Sequence, residues 1–262
     1  MFFSNSENKK VAIPIILIIG VVLVLLIGFA LKSIILDKES IDINSAKPIS
    51  NIDEKEIVKF GNYQQESNKN AEKAPIEWIV LDNKDGKMLL LSKYIIDCKC
   101  YNEEFKGTTW ENCDLRKWLN EDFMNTAFTE TEKSKIVTSK IKNDGNKEFG
   151  TSGGADTNDK IFCLSIDECE KYFGSDIKDY KENTNLAIKG TEYAKNVDNG
   201  GHNLWVLDSD KWYAGNSCFW LRNTGYFQGH AALVNIDGSI SSSGYYVDDS
   251  RIGVRPALWV SY

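Results

Sequence analysis

The feature that constrains this chain most is an uninterrupted apolar run near its N-terminus, at residues 11–31. The run contains no charged residue, and at about 1.5 Å per residue it spans roughly 30 Å, the thickness of a bilayer core. The apolar part of a cleavable signal peptide is only about 7–15 residues long and ends at a cleavage site formed by small residues. Here Lys32 separates Ala30 from Ser33. We therefore predict an uncleaved transmembrane anchor.

The charges that flank this run predict its direction in the membrane. Lys9 and Lys10 stand directly before it, whereas the lysines and acids between residues 32 and 39 nearly cancel. Positive flanks stay on the cytoplasmic side, so the bulk of the chain is expected outside the cell. The predicted organisation is a cytoplasmic tail (1–10), a single transmembrane anchor in the cell membrane (11–31), a polar stalk (32–51) and an extracellular domain (52–262).

Composition bounds what this domain can be. Hydrophobic residues make up 42% and charged residues 26% of the chain, which is typical of a globular protein and not of a disordered one. The net charge is −7, and no basic stripe alternates with stacking aromatic residues. Nucleic acid is therefore excluded as an expected partner.

Local patterns predict strands at both ends of the domain and helices between them. Two apolar runs, 76–81 and 87–92, flank Asp85–Gly86, which is a strong hairpin signal. A helix is expected from about residue 114 to 123, with Asn112 or Asp114 as its cap. Capping boxes are expected at Thr129 with Glu132 and at Ser165 with Glu168.

The last sixty residues are dense in turns and strand-like. Strands are expected at 219–222, at 231–236 before Asp237–Gly238, and at 253–260, whereas residues 143–159 are expected to form a long loop. Arg222 and Arg255 stand inside apolar strands, where we expect each to pair with a buried carboxylate. Strands, then helices, then strands indicate an α+β fold.

Several phrases occur together in a fixed order. They are FGNYQQ, PIEWIVLDNKDGKMLLLS, TWENCDLRKWLN, KIFCLSIDECEKYF, FWLRNTG and GVRPALWV. Together they resemble an uncharacterised family of bacterial extracellular domains found in Gram-positive gut bacteria, over residues 57–262. The family has no assigned activity, so this resemblance implies a domain type and not a function.

The C-terminal third is also similar to the C-type-lectin-like fold shared by formylglycine-generating enzymes. This resemblance implies an α+β domain with a small antiparallel sheet, a few short helices and long loops that form the working surface. Formylglycine-generating enzymes are oxidases that use a pair of catalytic cysteines. This pair is missing here, because no second cysteine follows Cys218.

The six cysteines suggest disulfides if the domain lies outside the cell. Cys98 or Cys100 would pair with Cys113, and the resemblance favours Cys98–Cys113. A zinc site formed by these three cysteines is a weaker alternative, since the Cys-x-x-Cys spacing is absent and no histidine is near. Cys163 and Cys169 fall on apolar positions and are expected to be buried thiols.

The best candidates for ligand contact are aromatic residues in loops rich in Ser, Gly and Asn, a composition typical of binding surfaces. Together with one acidic residue they form the predicted ligand-binding set: Trp205, Trp212, Tyr213, Tyr226, Tyr245, Tyr246 and Asp248. We predict a surface-displayed module that binds a glycan, a peptide or another surface component, with no cofactor.

Other functions remain open at this stage. Asp248 and Asp249 could contribute to a calcium site, although EF-hand spacing is absent. His202 or His230 could act as a general base in an extracellular enzyme acting on cell-wall substrates, although neither stands in a nucleophile motif. A structural partner of another envelope protein is the third alternative.

Removal of residues 1–36 should give a soluble, folded protein, because the apolar patterning of the domain is independent of the apolar run. Solubility and a cooperative melting transition of the shortened chain test this expectation. Precipitation of the shortened chain, under conditions that keep the full chain folded in detergent, would contradict the predicted boundary.

Overall fold

A computed structural model describes residues 41–42, 56–68, 70–174, 185–196, 203–206 and 215–262. The chain divides into two compact units, Met1–Ile41 and Asp42–Tyr262. The predicted anchor at 11–31 and most of the predicted stalk lie outside the described residues. Within the described residues, no helix has the length and apolar character needed to cross a membrane.

The described residues form sixteen strands and four helices. The strands are β1 (Ile41–Asp42), β2 (Ile57–Tyr63), β3 (Ala74–Lys84), β4 (Lys87–Ser92), β5 (Asp97–Cys98), β6 (Ile136–Val137), β7 (Ser139–Ile141), β8 (Thr157–Asp159), β9 (Ile161–Phe162), β10 (Ile188–Lys189), β11 (Asn216–Ser217), β12 (Phe219–Thr224), β13 (His230–Val234), β14 (Ile240–Tyr246), β15 (Gly253–Val254) and β16 (Ala257–Ser261). The helices are α1 (Asp114–Trp118, a π turn Leu119–Phe123 and Met124–Ala127), α2 (Glu130–Lys135), α3 (Ile166–Phe173) and α4 (Glu192–Asn196), and a 3₁₀ turn, Trp110–Asn112, precedes α1.

The first sheet is built around the last strand of the chain. Its strand order includes β2-β3-β4-β16-β6, and β9 also pairs with β16. The central strands are buried on both faces, so they read as continuous apolar runs and not as an alternating pattern. Trp78, Leu90 and Leu258 are fully buried at its centre.

The predicted hairpin is confirmed as β3 and β4. Their antiparallel pairing runs from Trp78 opposite Ser92 to Lys84 opposite Lys87. Asp85 and Gly86 form the turn, with φ values of 51° and 70°. Positive φ at both central positions is the geometry of the turn type that best matches strand twist, which explains why an Asp-Gly pair is placed here.

The second sheet has the order β14-β13-β12-β15-β5. Strands β12 and β15 are parallel, whereas the other pairs are antiparallel. The predicted strands at 219–222 and 231–236, and the turn at Asp237–Gly238, are confirmed by β12, β13 and β14. This sheet positions the candidate functional site.

Both predicted capping boxes are confirmed. The Thr129 side chain accepts from the Glu132 amide at the start of α2, and the Ser165 side chain accepts from the Glu168 amide at the start of α3. The predicted cap of α1 is wrong, because the capping atom is Cys113 Sγ, which accepts from the Arg116 amide at 3.4 Å.

The predicted fold class is wrong. The structure is rich in sheet, with 37% strand and 20% helix, whereas we expected a C-type-lectin-like α+β domain with one small antiparallel sheet. Stretches read as loops contribute short strands: β5 pairs with β15, and β8, inside the predicted loop 143–159, pairs with β7. Strands of two or three residues are too short to show an alternating apolar and polar pattern. Only their pairing with a neighbouring strand identifies them as strands.

The predicted disulfide is also wrong, because Cys98 and Cys113 are both buried thiols and are not joined. Cys98 Sγ donates to the Ala194 carbonyl oxygen at 3.6 Å, and Cys113 Sγ donates to the Trp110 carbonyl oxygen at 3.4 Å. The two thiols belong to different local structures, a sheet edge against α4 and the cap of α1. Burial raises the pKa of Cys113 to about 12, so this thiol is poorly reactive.

The two strand arginines have different environments. Arg222 is buried and pairs with a carboxylate as predicted, but that carboxylate is partly exposed: Nη1 and Nη2 donate to Glu168 at 2.5 and 3.1 Å. The prediction for Arg255 is wrong: its Nε donates to the Ser92 carbonyl oxygen at 3.0 Å, and no described partner satisfies its Nη atoms. Its guanidinium lies instead 5.2 Å from the ring centre of Phe219, and burial lowers its pKa to about 10.

Glu168→Ala should lower the free energy of unfolding by about 2–3 kcal/mol, because it leaves the buried Arg222 guanidinium without its carboxylate. Glu168 is itself 27% exposed, so the loss stays below that of a fully buried pair. The control is Glu132→Ala in the other capping box, which faces no buried cation but also accepts from the Gly61 amide at 3.1 Å, and it should cost about 1–1.5 kcal/mol. Denaturant unfolding measures both, and equal losses would contradict a stabilising Arg222 contact.

Candidate functional site

An array of aromatic rings runs across one end of the second sheet. We call it the aromatic strip. It consists of Phe105, Phe149, Trp205, Tyr226, Phe227, His230, Tyr245 and Tyr246. Each ring centre lies between 4.5 and 6.4 Å from that of a neighbour in the strip. Such spacings are typical of edge-to-face aromatic pairs, so the rings form one connected surface.

The aromatic strip contains most of the exposed apolar bulk of the described residues. Six large hydrophobic side chains are exposed among the described residues. Five of them belong to the strip: Phe105 (55%), Phe149 (43%), Trp205 (42%), Tyr226 (48%) and Tyr246 (48%). The sixth, Tyr262, lies outside it and is 36% exposed. Isolated exposed hydrophobic residues are ordinary, whereas a contiguous group indicates an interaction site.

His230 holds the centre of the aromatic strip. Its ring centre lies 4.7 Å from Tyr226, 4.6 Å from Phe227 and 4.5 Å from Tyr246. The side chain is buried, and no side chain among the described residues forms a hydrogen bond with its ring nitrogens, which lie near the backbone of Ser243 and Gly244. Burial lowers the pKa of His230, so its ring is neutral near pH 7 and packs as an aromatic group.

Glycines allow the strands beneath the strip to bulge and approach closely. Gly244 has a φ of 71°, and a Cβ there would meet the Ala231 carbonyl oxygen at 2.1 Å. The register between β13 and β14 shifts at this place, between Ala231 and Leu233. A bulge with glycine in the left-handed region turns the strand, and here it precedes Tyr245 and Tyr246.

Two loops add rings from distant parts of the sequence. Backbone bonds from Thr108 to Gln228 (2.8 Å) and from Asn102 to Val247 (2.9 Å) hold the loop that contains Phe105. The Asn146 amide donates to the carbonyl oxygens of both Thr224 and Ser242 at 2.8 Å, which holds the loop that contains Phe149. The strip is therefore fixed by buried polar contacts.

An open pocket of about 600 Å³ adjoins the aromatic strip. We call it the acidic pocket. It is lined by Phe105, Tyr245, Tyr246, Asp248, Asp249, Ser250 and Arg251. Arg251 donates to both carboxylate oxygens of Asp249, at 3.0 and 2.6 Å, and its guanidinium lies 5.3 Å from the ring centre of Trp205.

The remaining charge in the acidic pocket is Asp248. Its side chain is exposed, and no cation of the described residues forms an ion pair with it. The thiol of Cys100 donates to the Asp248 carbonyl oxygen at 3.2 Å. The pKa of Cys100 is raised to about 11, first by burial and then by the charges of Asp248, Glu103 and Asp249. The surroundings of the pocket are thus negative.

The structure brings together five of the predicted ligand-binding residues. Trp205, Tyr226, Tyr245 and Tyr246 are members of the aromatic strip, and Asp248 lines the acidic pocket beside it. Trp212 and Tyr213, like His202, lie outside the described residues. The described residues contain no group of three or more His, Cys, Asp or Glu side chains that could hold a metal ion.

Sequence reasoning missed Phe105, Phe149 and Arg251 as members of this site. Phe105 and Phe149 are single aromatic residues among charged and turn-forming neighbours, in the segments EEFKG and KEFGT. A large apolar side chain in such a setting is a usable signal, because the local chain offers no core in which to bury it. No comparable signal identifies Arg251.

Gly244→Ala should lower the free energy of unfolding by about 3 kcal/mol or more, since the new methyl group adds a backbone clash to the unfavourable φ. Gly86→Ala is the matched control: its φ is 70°, but nothing lies within 4 Å of the added Cβ, so it should cost only about 1 kcal/mol. Thermal and denaturant unfolding compare the two. Equal losses would contradict the close approach of β13 and β14.

No curated protein and no solved structure matches the chain significantly. One family profile does match the chain, over residues 85–262. This span includes all residues of the aromatic strip and of the acidic pocket. That span covers more than half of the chain. The chain therefore belongs to the family described as a domain of unknown function (DUF6273).

Proposed function

We propose that this domain is a ligand-binding module and that the aromatic strip, with the adjoining acidic pocket, is its binding surface. One observation carries the proposal: five of the six exposed large hydrophobic side chains among the described residues belong to this one connected surface. Exposing apolar rings to water is unfavourable, and a contiguous exposed group is the common mark of a recognition site.

The construction of the strip supports binding. Aromatic side chains offer a large contact area and have few torsions to immobilise, so they bind a partner at a small entropic cost. Asn146 and the backbone bonds of Thr108 and Asn102 hold the loops in place before any ligand arrives. A surface arranged in advance loses less free energy to ordering when it binds.

The environment of His230 favours binding over catalysis. A histidine that acts as a general base is normally oriented by a hydrogen bond and lies within reach of a reacting group. His230 contacts aromatic rings, and no side chain among the described residues orients its ring through a hydrogen bond. Its contribution to the site is to pack beneath the exposed rings of Tyr226 and Tyr246.

The proposed ligand is a glycan, a peptide or another surface component, as the aromatic loops suggest. A position at the cell membrane with the domain facing outward stays a prediction, because residues 11–31 lie outside the described residues. The binding proposal does not depend on that position.

Full-length protein in detergent should bind specific members of a combined glycan and peptide array. Tyr226→Ala and Tyr246→Ala should each weaken this binding about tenfold or more, as expected for rings at the centre of an interface. Tyr262→Ala is the control, since Tyr262 is an exposed ring outside the strip, and it should leave binding unchanged.

Two outcomes contradict the proposal. The first is the absence of specific binding across the array by protein that retains its native melting transition. The second is equal loss of binding in Tyr262→Ala and in the strip variants, which would locate the binding surface elsewhere.

A further inference from the structure

The aromatic rings that line the acidic pocket do not share a plane. The ring centres of Phe105 and Tyr246 lie 5.7 Å apart with an interplanar angle of 64°. Those of Tyr245 and Tyr246 lie 5.4 Å apart with an angle of 75°. The lining is therefore not a single flat platform of the kind that suits the face of a sugar ring, and it presents both ring faces and ring edges to a ligand.

The charge of the acidic pocket is negative. Arg251 neutralises Asp249 through a two-pronged contact, which leaves the Asp248 carboxylate as the uncompensated charge of the lining. Arg251 is the one cation of the lining, and its charge is offset by Asp249, so the lining carries one net negative charge. Charge complementarity therefore favours a cationic ligand.

We infer that the acidic pocket binds an alkylated ammonium group, held by the faces of Phe105, Tyr245 and Tyr246 and by the Asp248 carboxylate. This inference rests on the proposed function and names the chemistry of its ligand. Aromatic faces carry negative charge density and attract cations, and cages of several rings are the usual site for alkylammonium groups. The carboxylate adds a direct Coulomb attraction.

The size of the acidic pocket indicates that the cation is one end of a larger ligand. A volume of about 600 Å³ falls in the range of sites for drug-sized molecules and exceeds what a single ammonium group fills. A lysine side chain of a peptide and a quaternary amine of a surface polymer share this chemistry. The test below separates these two sources.

The experiment compares two probes of the same shape with full-length protein in detergent. Choline carries a quaternary ammonium group, and 3,3-dimethylbutan-1-ol is its neutral isostere. Titration calorimetry or ligand-detected NMR should show choline binding about tenfold tighter than the neutral alcohol, and the preference should fall as salt is added. Equal binding of the two probes, or binding of neither, would overturn the inference.

Variants locate the effect. Asp248→Asn should weaken choline binding about threefold, and this exposed substitution leaves the fold intact. Tyr246→Phe keeps the ring and should keep the binding, whereas Tyr246→Ala should lose about tenfold. Tyr262→Ala is the control and should change nothing. If neither the Asp248→Asn variant nor the Tyr246→Ala variant changes the affinity for choline, the cation binds elsewhere and the inference is overturned.

A third probe, N-acetyl-lysine methylamide, separates the two sources. Tighter binding than choline indicates a peptide lysine, and weaker binding indicates a quaternary amine; both results support an ammonium site. Failure of this inference is distinguishable from failure of the proposed function. Array ligands that bind through Tyr226 while choline does not bind would leave the binding module standing and remove only the cation site.

Discussion

The rest of the structure depends on the backbone pairing of one short closing segment, residues 253–261. Its first part, β15, lies between β12 and β5 in the second sheet, and its second part, β16, lies between β4 and the strands β6 and β9 in the first sheet. The Pro256 carbonyl oxygen between them accepts from the Ser92 amide at 2.9 Å. One nine-residue segment thus belongs to both sheets, and neither sheet is complete without it.

Arg255 shows the physical cost of this arrangement. The segment passes from one sheet to the other through the core, and the arginine is carried inside with it, only 1% exposed. A single bond from its Nε to the Ser92 carbonyl oxygen and contact with the Phe219 ring replace the expected carboxylate. Burial of a charge with so little compensation is unfavourable, and the lowered pKa of Arg255 is the direct expression of that cost.

The second sheet converts this scaffold into a surface. The pairing of β13 with β14 shifts where Gly244 permits a close approach, and the aromatic residues at the end of β14 and in the turn before β13 lie together at this end of the sheet. Loops that contain Phe105 and Phe149 are then tied to the same end by backbone and asparagine bonds. The positions of the exposed rings therefore depend on hydrogen bonds between segments that are distant in the sequence.

The sequence by itself determined the features whose cause is local. The Asp85–Gly86 turn, the two capping boxes and the start of the closing strands follow from residues within a few positions of one another, and each was predictable for that reason. The aromatic residues Trp205, Tyr226, Tyr245 and Tyr246 were also recognisable as surface candidates from their Ser-, Gly- and Asn-rich neighbours, although Tyr245 and Tyr246 lie at the end of strand β14 and not in a loop as predicted. Only the tertiary structure decided which strands pair, since β4 meets β16 and β5 meets β15 across more than half of the chain. The tertiary structure also decided the partners of Cys98 and Cys113, whose spacing suggested a disulfide but whose thiols donate to separate carbonyl oxygens. It likewise decided the partner of Arg255, which donates to Ser92, 163 residues away in the sequence. Sheet order and burial are sums over distant contacts, and no local pattern contains the identity of a distant partner.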